Sequence, residues 1–413
     1  MRISTLQAFN NGVSGLQRNY ANVTRTQEQI STGNRILTPA DDPVASVRLL
    51  QLDQQQSVLD QYNSNLTAAK NSLTQEEVTL NSVNTVLQRV RELAVQAGNG
   101  ALDPEDRKSI ASELREREDE LLSLMNTRNA RGEYLFSGFQ GKTQPFVRTG
   151  NGSYRYEGDE GQRKLQIASS LSVPISDNGK SIFENVTNAA RLSATKAASS
   201  ALDISEPLVS DEVAFAGRGD ITITFAASPN ERNYTVSDAN GQSLGSGTLE
   251  EAPEAENKLV VGGVTVFVSG TPTAGETITL TEDGGPKQGI PEDGGPKQGI
   301  LDTIGALRQA LEDPGTGNGA VRDAVGAALT NLDHGMVSVD AARGNIGARL
   351  NVIESTLTDN EDVALANKAV QAELRELDYP EALSRLSMQS VVLQAAQQSY
   401  VKISGLSLFN VMR

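Results

Sequence analysis

Apolar residues recur every seven positions along both ends of the chain, and this spacing limits the possible folds more than any other feature. Near the N-terminus Leu6, Val13 and Tyr20 form one row, offset by Phe9, Leu16, Val23 and Ile30. Beyond Pro380, Leu386, Leu393 and Tyr400 repeat in the same way, with Ala382, Ala396 and Ile403 alongside. Polar residues fill nearly every position between. Each segment therefore reads as a helix with a narrow a/d seam of period near 3.5. A seam that narrow cannot enclose a globular core and needs a partner helix.

The pattern continues inward. Leu66, Leu73, Leu80, Leu87 and Ala94 form a row with Ala69, Val83, Val90 and Ala97 as companions, inside a proline-free stretch bounded by Pro43 and Pro104. That stretch predicts a helix on the order of 80 Å long at 1.5 Å per residue. Asp103-Pro104 supplies an N-cap followed by proline at the first helical position, and opens a third helix with the stripe Ile110, Leu114, Leu121 and Leu124. Downstream, Val325, Leu332, Val339, Ile346 and Ile353 form one row, and Leu329, Met336, Leu350 and Leu357 its neighbour. The seams admit two arrangements: a closed bundle within one chain, or helices that pair between copies. For the extreme ends, 1–30 and 381–413, the second is expected, with helical order acquired on assembly.

Between the arms the composition changes. Residues 141–300 hold 21 of the 37 glycines and 9 of the 14 prolines. Ile221-Thr222-Ile223-Thr224-Phe225 and Thr277-Ile278-Thr279-Leu280 alternate with period two, Val264 to Val268 is a fuller β run, and Asp238-Ala239-Asn240-Gly241 reads as a turn. A small β sandwich or barrel from roughly 205 to 285 is the expectation. A separate β stretch, Tyr154-Arg155-Tyr156 through Leu165-Gln166-Ile167, is expected to pack on the helices. The segment from Glu282 to Ile290 recurs identically at 292–300; with two copies and almost no apolar content it reads as a duplicated flexible linker. The fold class is mainly α with a β insert (α+β), with elongated helical coiled-coil or bundle arms from both termini. Three domains are expected: terminal coiled coils at 1–40 and 375–413, a helical rod with a β-hairpin region at 41–186 and 301–374, and a β-rich outer insert at 187–300.

The same residues exclude much chemistry. With 36 Lys and Arg against 52 Asp and Glu the net charge is −16, contrary to the clustered cations that nucleic-acid binding requires. There is no cysteine for a disulfide, thiolate or thiol nucleophile, and the single histidine, His334, leaves no His-based metal site. No stretch approaches the roughly 20 apolar residues of a membrane helix, and the first residues lack a continuous apolar run, so a cleaved secretory signal is not expected. Gly138-Phe139-Gln140-Gly141-Lys142-Thr143 ends like a phosphate loop, but Phe136 stands where the motif needs its first glycine. Gly217-Arg218-Gly219-Asp220 contains an integrin-type tripeptide that reads better as the entry to a strand. Asp41-Asp42 reads as helix capping, and Asp359-Asn360-Glu361-Asp362 lacks calcium-loop spacing. No nucleophile–base pair is evident, so neither an enzyme nor a cofactor is expected.

Four stretches are recognisable. Ser31-Thr32-Gly33-Asn34-Arg35-Ile36, followed by Pro39-Ala40-Asp41-Asp42-Pro43-Val44-Ala45, resembles the N-terminal signature shared by bacterial flagellins and hook-associated proteins, and Leu87 to Gln96 resembles a flagellin helix. Gly132-Glu133-Tyr134-Leu135-Phe136-Ser137-Gly138, with Pro145-Phe146 and the ending Ile403 to Asn410, is similar to the hook–filament junction members of that family. The resemblance covers about 1–186 and 301–413. It implies a structural subunit of the bacterial flagellum, lying between hook and filament and templating flagellin polymerisation. Its termini would form the coiled coil lining the tube of the axial polymer. It implies as partners neighbouring copies in a ring, the adjoining hook-associated junction protein, flagellin, an export chaperone and the type III export apparatus, and an extracellular location without a cleaved signal. Within this frame Leu6, Phe9, Val13, Leu16, Tyr20 and Val23 are expected to pack against Leu386, Leu393, Tyr400 and Ile403 as an assembly seam. The surface that innate immune receptors recognise on flagellin corresponds to Arg89, Leu93 and Glu113. The alternatives are a flagellin proper, or a flagellar adhesin whose β insert binds a surface.

Overall fold

The computed structural model describes residues 5–150, 152–252, 255–282 and 297–411, without the side chains of residues 5, 6, 8 and 403–411. Seven α-helices are described: α1 (Thr5–Thr32), α2 (Pro43–Ala97), α3 (Pro104–Met125), α4 (Glu212–Phe215), α5 (Ile300–Glu312), α6 (Asn318–Arg375) and α7 (Tyr379–Val411). They divide into two compact units, one of residues 1–64 and 355–413, the other of residues 65–354. The cuts fall inside α2 and α6, which are each one continuous helix.

In the first unit α1 and α7 run antiparallel. Thr26 Oγ1 lies 2.8 Å from Gln389 Oε1, and the Phe9 and Tyr400 rings sit 5.4 Å apart. The connectors that follow α1 and α6 are tied together: Arg35 N–H donates to Arg375 O at 2.7 Å and Leu377 N–H to Gly33 O at 3.0 Å. Gly33 is required there, with φ +72° and the Tyr379 hydroxyl 3.0 Å from where its Cβ would stand. Of the two expected caps only Asp42 acts as one, accepting from Ala45 N–H at 3.0 Å ahead of Pro43. Asp41 turns back to accept from Leu37 and Thr38 N–H and pairs with Arg25. The parts of α2 and α6 in this unit meet through polar side chains. Asn360 donates to Asn63 at 3.1 Å and Gln371 to Asp53 at 3.0 Å.

In the second unit the heptad rows form the core. Leu66, Leu73, Leu80 and Leu87 on α2 and Val325, Leu332, Val339, Ile346 and Ile353 on α6 are all buried. Asp103 caps α3 through Asp106 N–H at 2.8 Å. The α3 stripe departs from expectation: it runs Ile110, Leu114, Glu118, Leu121 and Met125, with Leu124 only half buried. Glu118 occupies an apolar register because partners from elsewhere satisfy it. Its carboxylate accepts from Arg308 Nε at 2.8 Å, from Arg148 Nη2 at 3.2 Å and from the Tyr154 hydroxyl. Those partners come from α5 and from the hairpin Phe146–Arg148 with Tyr154–Tyr156, so one carboxylate joins three elements. Phe136, Phe146 and Phe183 pack edge to face beside it.

The insert is a sandwich. An all-antiparallel sheet runs in the order Ser243–Thr248, Asn233–Ser237, Ile221–Phe225, Thr277–Glu282, Leu192–Thr195. A second sheet pairs Asn257–Val261 with Val264–Ser269, whose other edge takes Asp203–Ile204 and Leu208–Val209. Alternation puts Ile221, Ile223, Phe225, Val264, Val266, Val268, Ile278 and Leu280 into one apolar core. The sandwich starts earlier than the expected residue 205, because Leu192–Thr195 supplies an edge strand. Of the duplicated segment, 283–296 lies outside the described residues. The end of its second copy is not linker: Lys297–Gln298 pairs with Val186–Thr187, and Ile300 is buried at the start of α5. Among the described residues no helix is long and apolar enough to cross a membrane.

Candidate functional site

The residues singled out by the heptads converge on α1 and α7. Val13, Leu16, Val23, Leu386, Leu393 and Tyr400 are half buried, and Tyr400 lies 3.4 Å from the Cβ position of Gly12. Phe9 and Tyr20 remain 44% and 63% exposed. Val13, Leu16, Gln17, Gln397, Tyr400 and Val401 line an open groove of about 520 Å³. Leu6 and Ile403 lie outside the described side chains. Both tails are helical and paired within one chain, which differs from the expectation that helical order waits for assembly. Local heptad complementarity brings the two helices together. Two narrow seams facing each other still leave their flanks open, and that openness is the chemical character of the site. Leu383, Val391 and Val401 add exposed apolar surface along α7.

The second set behaves differently. Arg89 bridges Glu113 at 2.7 Å and Glu92 at 2.9 Å on the surface of α2 and α3, and these partners raise its pKa. Leu93 is 1% exposed and belongs to the core row, so it cannot be part of a receptor-facing surface. The α2 register places it one turn from Arg89 but on the inward face.

Motifs set aside on sequence grounds have structural roles. His334 Nδ1 lies 2.9 Å from Thr187 O, beside the strand that returns from the insert. Arg218 Nε donates to Ala214 O at 2.6 Å, which ties the tripeptide arginine back onto its own chain. Among the described residues no three His, Asp or Glu side chains are placed to hold a metal.

Besides Glu118, the carboxyl groups of Glu76 and Asp302 escaped the sequence reading. Burial drives the Glu76 carboxyl well above its usual range, and the neighbouring Asp177 adds to the effect; Asp177 N–H donates to it and Arg349 pairs with Asp177 at 2.9 Å. Asp302 accepts from Tyr154 N–H at 2.9 Å and is pushed up to about 6, by burial first and the Glu118 charge second. Both serve packing between helices and hairpins. An acidic residue at a heptad or first-turn position was the only sequence signal available for either.

Residues 3–141 match the family described as the bacterial flagellin N-terminal helical region. Flagellar hook-associated protein 3 of Salmonella typhimurium is 25% identical over 417 residues, covering 100% of both chains, and the Escherichia coli protein of that name matches equally. The chain resembles flagellar hook-associated protein 3 from end to end. Among solved structures, the flagellar junction protein FlgL from Legionella pneumophila superimposes with a TM-score of 0.60 at 26% identity, over 80% of this chain and 100% of that one. The likeness to hook-associated protein 3 spans insert as well as arms, so the open seam on α1 and α7 sits in the setting of a structural flagellar protein. Relatives of that kind are not enzymes.

Proposed function

We propose that the chain is a structural subunit of the bacterial flagellum, forming the junction between hook and filament, and that its α1/α7 pair is completed by adjacent copies. The observation that carries this reading is the incompletely buried seam in a chain whose relatives are flagellar junction proteins. Each seam side chain moved from half burial to full burial contributes roughly 1 kcal/mol, and one fully buried from an exposed state contributes roughly 1.5–3 kcal/mol. A handful per copy offsets the entropy of fixing the flanking side chains. The expected neighbours are further copies in a ring, the adjoining hook-associated junction protein on one side and flagellin on the other. An export chaperone and the type III apparatus deliver the chain, so that its working location is extracellular. In the proposed division of labour, 1–40 with 375–413 lines the tube, 41–186 with 301–374 forms the rod, and 187–300 projects outward.

Electron microscopy of a deletion strain tests this: hooks should persist while flagellin is shed into the medium. Complementation with Leu16→Asp combined with Leu393→Asp should fail to restore filaments. Normal filament attachment by that variant would remove the seam from the proposal. Loss of the filament body itself, with this chain abundant along it, would favour flagellin. Motility retained after deletion of 205–285, with surface attachment lost, would favour an adhesin role. A receptor-facing role for Arg89 and Glu113 is tested by reporter activation with purified monomer, expected to fall on Arg89→Ala.

A further inference from the structure

The chain contains six Asn-Gly pairs, at Asn11, Asn99, Asn151, Asn178, Asn240 and Asn318. Such pairs lose ammonia when the glycine nitrogen attacks the asparagine side-chain carbonyl, because glycine has no Cβ to block the approach. The fold treats the five described pairs very differently. Asn11 lies within α1 and Asn318 opens α6, and in both the helical backbone holds the following nitrogen away from the side-chain carbon. Asn178 is buried, and its glycine N–H is occupied by Phe136 O at 2.8 Å. Asn240 is exposed, but Gly241 N–H donates to Asp238 O at 2.9 Å. Asn99 alone among the described pairs combines exposure, a position outside the helices and a following N–H without a hydrogen-bond partner among the described residues. It is exposed, lies past the end of α2, and opens a turn closed by Leu102 N–H to Asn99 O at 3.1 Å. In that turn Gly100 is the second residue, whose N–H has no hydrogen-bond partner among the described residues. Ala101 N–H donates to Asn99 Oδ1 at 3.2 Å, polarising the carbonyl under attack and stabilising the oxygen that becomes negative.

We propose that Asn99-Gly100 is the preferred deamidation site of the folded protein. Base removes the Gly100 N–H proton, the nitrogen bonds to Asn99 Cγ, and the Cγ–Nδ2 bond breaks as ammonia takes up a proton and departs. Water then opens the resulting succinimide at either carbonyl, giving aspartate or isoaspartate. Each event leaves one new negative charge just beyond the C-terminus of α2, where the helix dipole disfavours it. The isoaspartyl product also adds a backbone carbon to the α2–α3 turn.

The full-length protein is incubated at pH 8.5 and 37 °C, digested with trypsin and followed by mass spectrometry. The peptide between Arg91 and Arg107 contains Asn99 as its one asparagine. In the native protein Asn99 should convert about tenfold faster than Asn11, Asn178 and Asn318, with Asn240 between, a spread equal to one decade in rate. In denaturing urea the five rates should converge to within about threefold, since the differences come from folded geometry. Native rates at Asn99 no greater than at Asn178 or Asn240 would overturn the assignment, as would the same ordering persisting in urea.

Discussion

Replacing Asp302 by asparagine tests the electrostatics beneath the Glu118 cluster. Asp302 occupies the first turn of α5, and its Oδ1 accepts from Tyr154 N–H, a bond that an asparagine oxygen can also accept. Burial and the Glu118 charge raise its pKa from 3.8 to about 6. In a carboxyl raised this way the folded state holds its proton longer than the unfolded state. Stability therefore falls as pH climbs from about 4 to about 6, and stays lower above that. The two-unit difference corresponds to about 3 kcal/mol at most. Solvent reaching the half-buried edge reduces that figure, and the lost charge–dipole attraction at the N-terminus of α5 removes about 0.5 kcal/mol more. Asp302→Asn should accordingly stabilise the protein by about 1–2 kcal/mol at pH 8, and by nothing measurable at pH 3.5. Urea unfolding followed by circular dichroism, with hydrogen exchange at the Tyr154 amide as a local probe, reads both values. An equal gain at the two pH values would refute the reasoning, as would none at pH 8.

Glu118→Gln leaves Arg148 and Arg308 without their shared carboxylate and should cost about 3–5 kcal/mol in urea unfolding, most of it recovered when Arg308→Gln is added. Gly33→Ala forces a left-handed alanine against the Tyr379 hydroxyl and should cost about 1–2 kcal/mol; faster proteolysis after Arg35 would report it, and Tyr379→Phe should relieve only part. Ile300→Ala should cost about 2–4 kcal/mol in urea unfolding, because that side chain is core.

The rows that could be read from spacing, Leu66 through Leu87 and Val325 through Ile353, are local properties of one helix, and burial follows them. Strand alternation at Ile221–Phe225 was visible for the same reason. What spacing could not reveal was the choice of partner. Glu118 looks like a surface residue until Arg148 and Arg308, distant in sequence, are brought to it. The resemblance to flagellin puts Leu93 on a receptor-facing surface, although its register in α2 places it with the buried Val90 and Ala97. Leu192–Thr195 is too short to announce itself as a strand, and gains that identity only by pairing with Thr277–Glu282. At the terminal pair, the seam residues were legible, but their half-burial within a single chain was not.

The amide rungs between α2 and α6 constrain how such a chain can change length. Asn63 meets Asn360, and Asp53 meets Gln371, only in one frame. A codon gained or lost in either helix would pull these pairs out of register, so a change in one arm demands a matching edit some three hundred positions away. The sandwich enters after Ala189 and leaves before Ile300, and its size is keyed to no such ladder. A change of length between those two points leaves the register of the arms untouched.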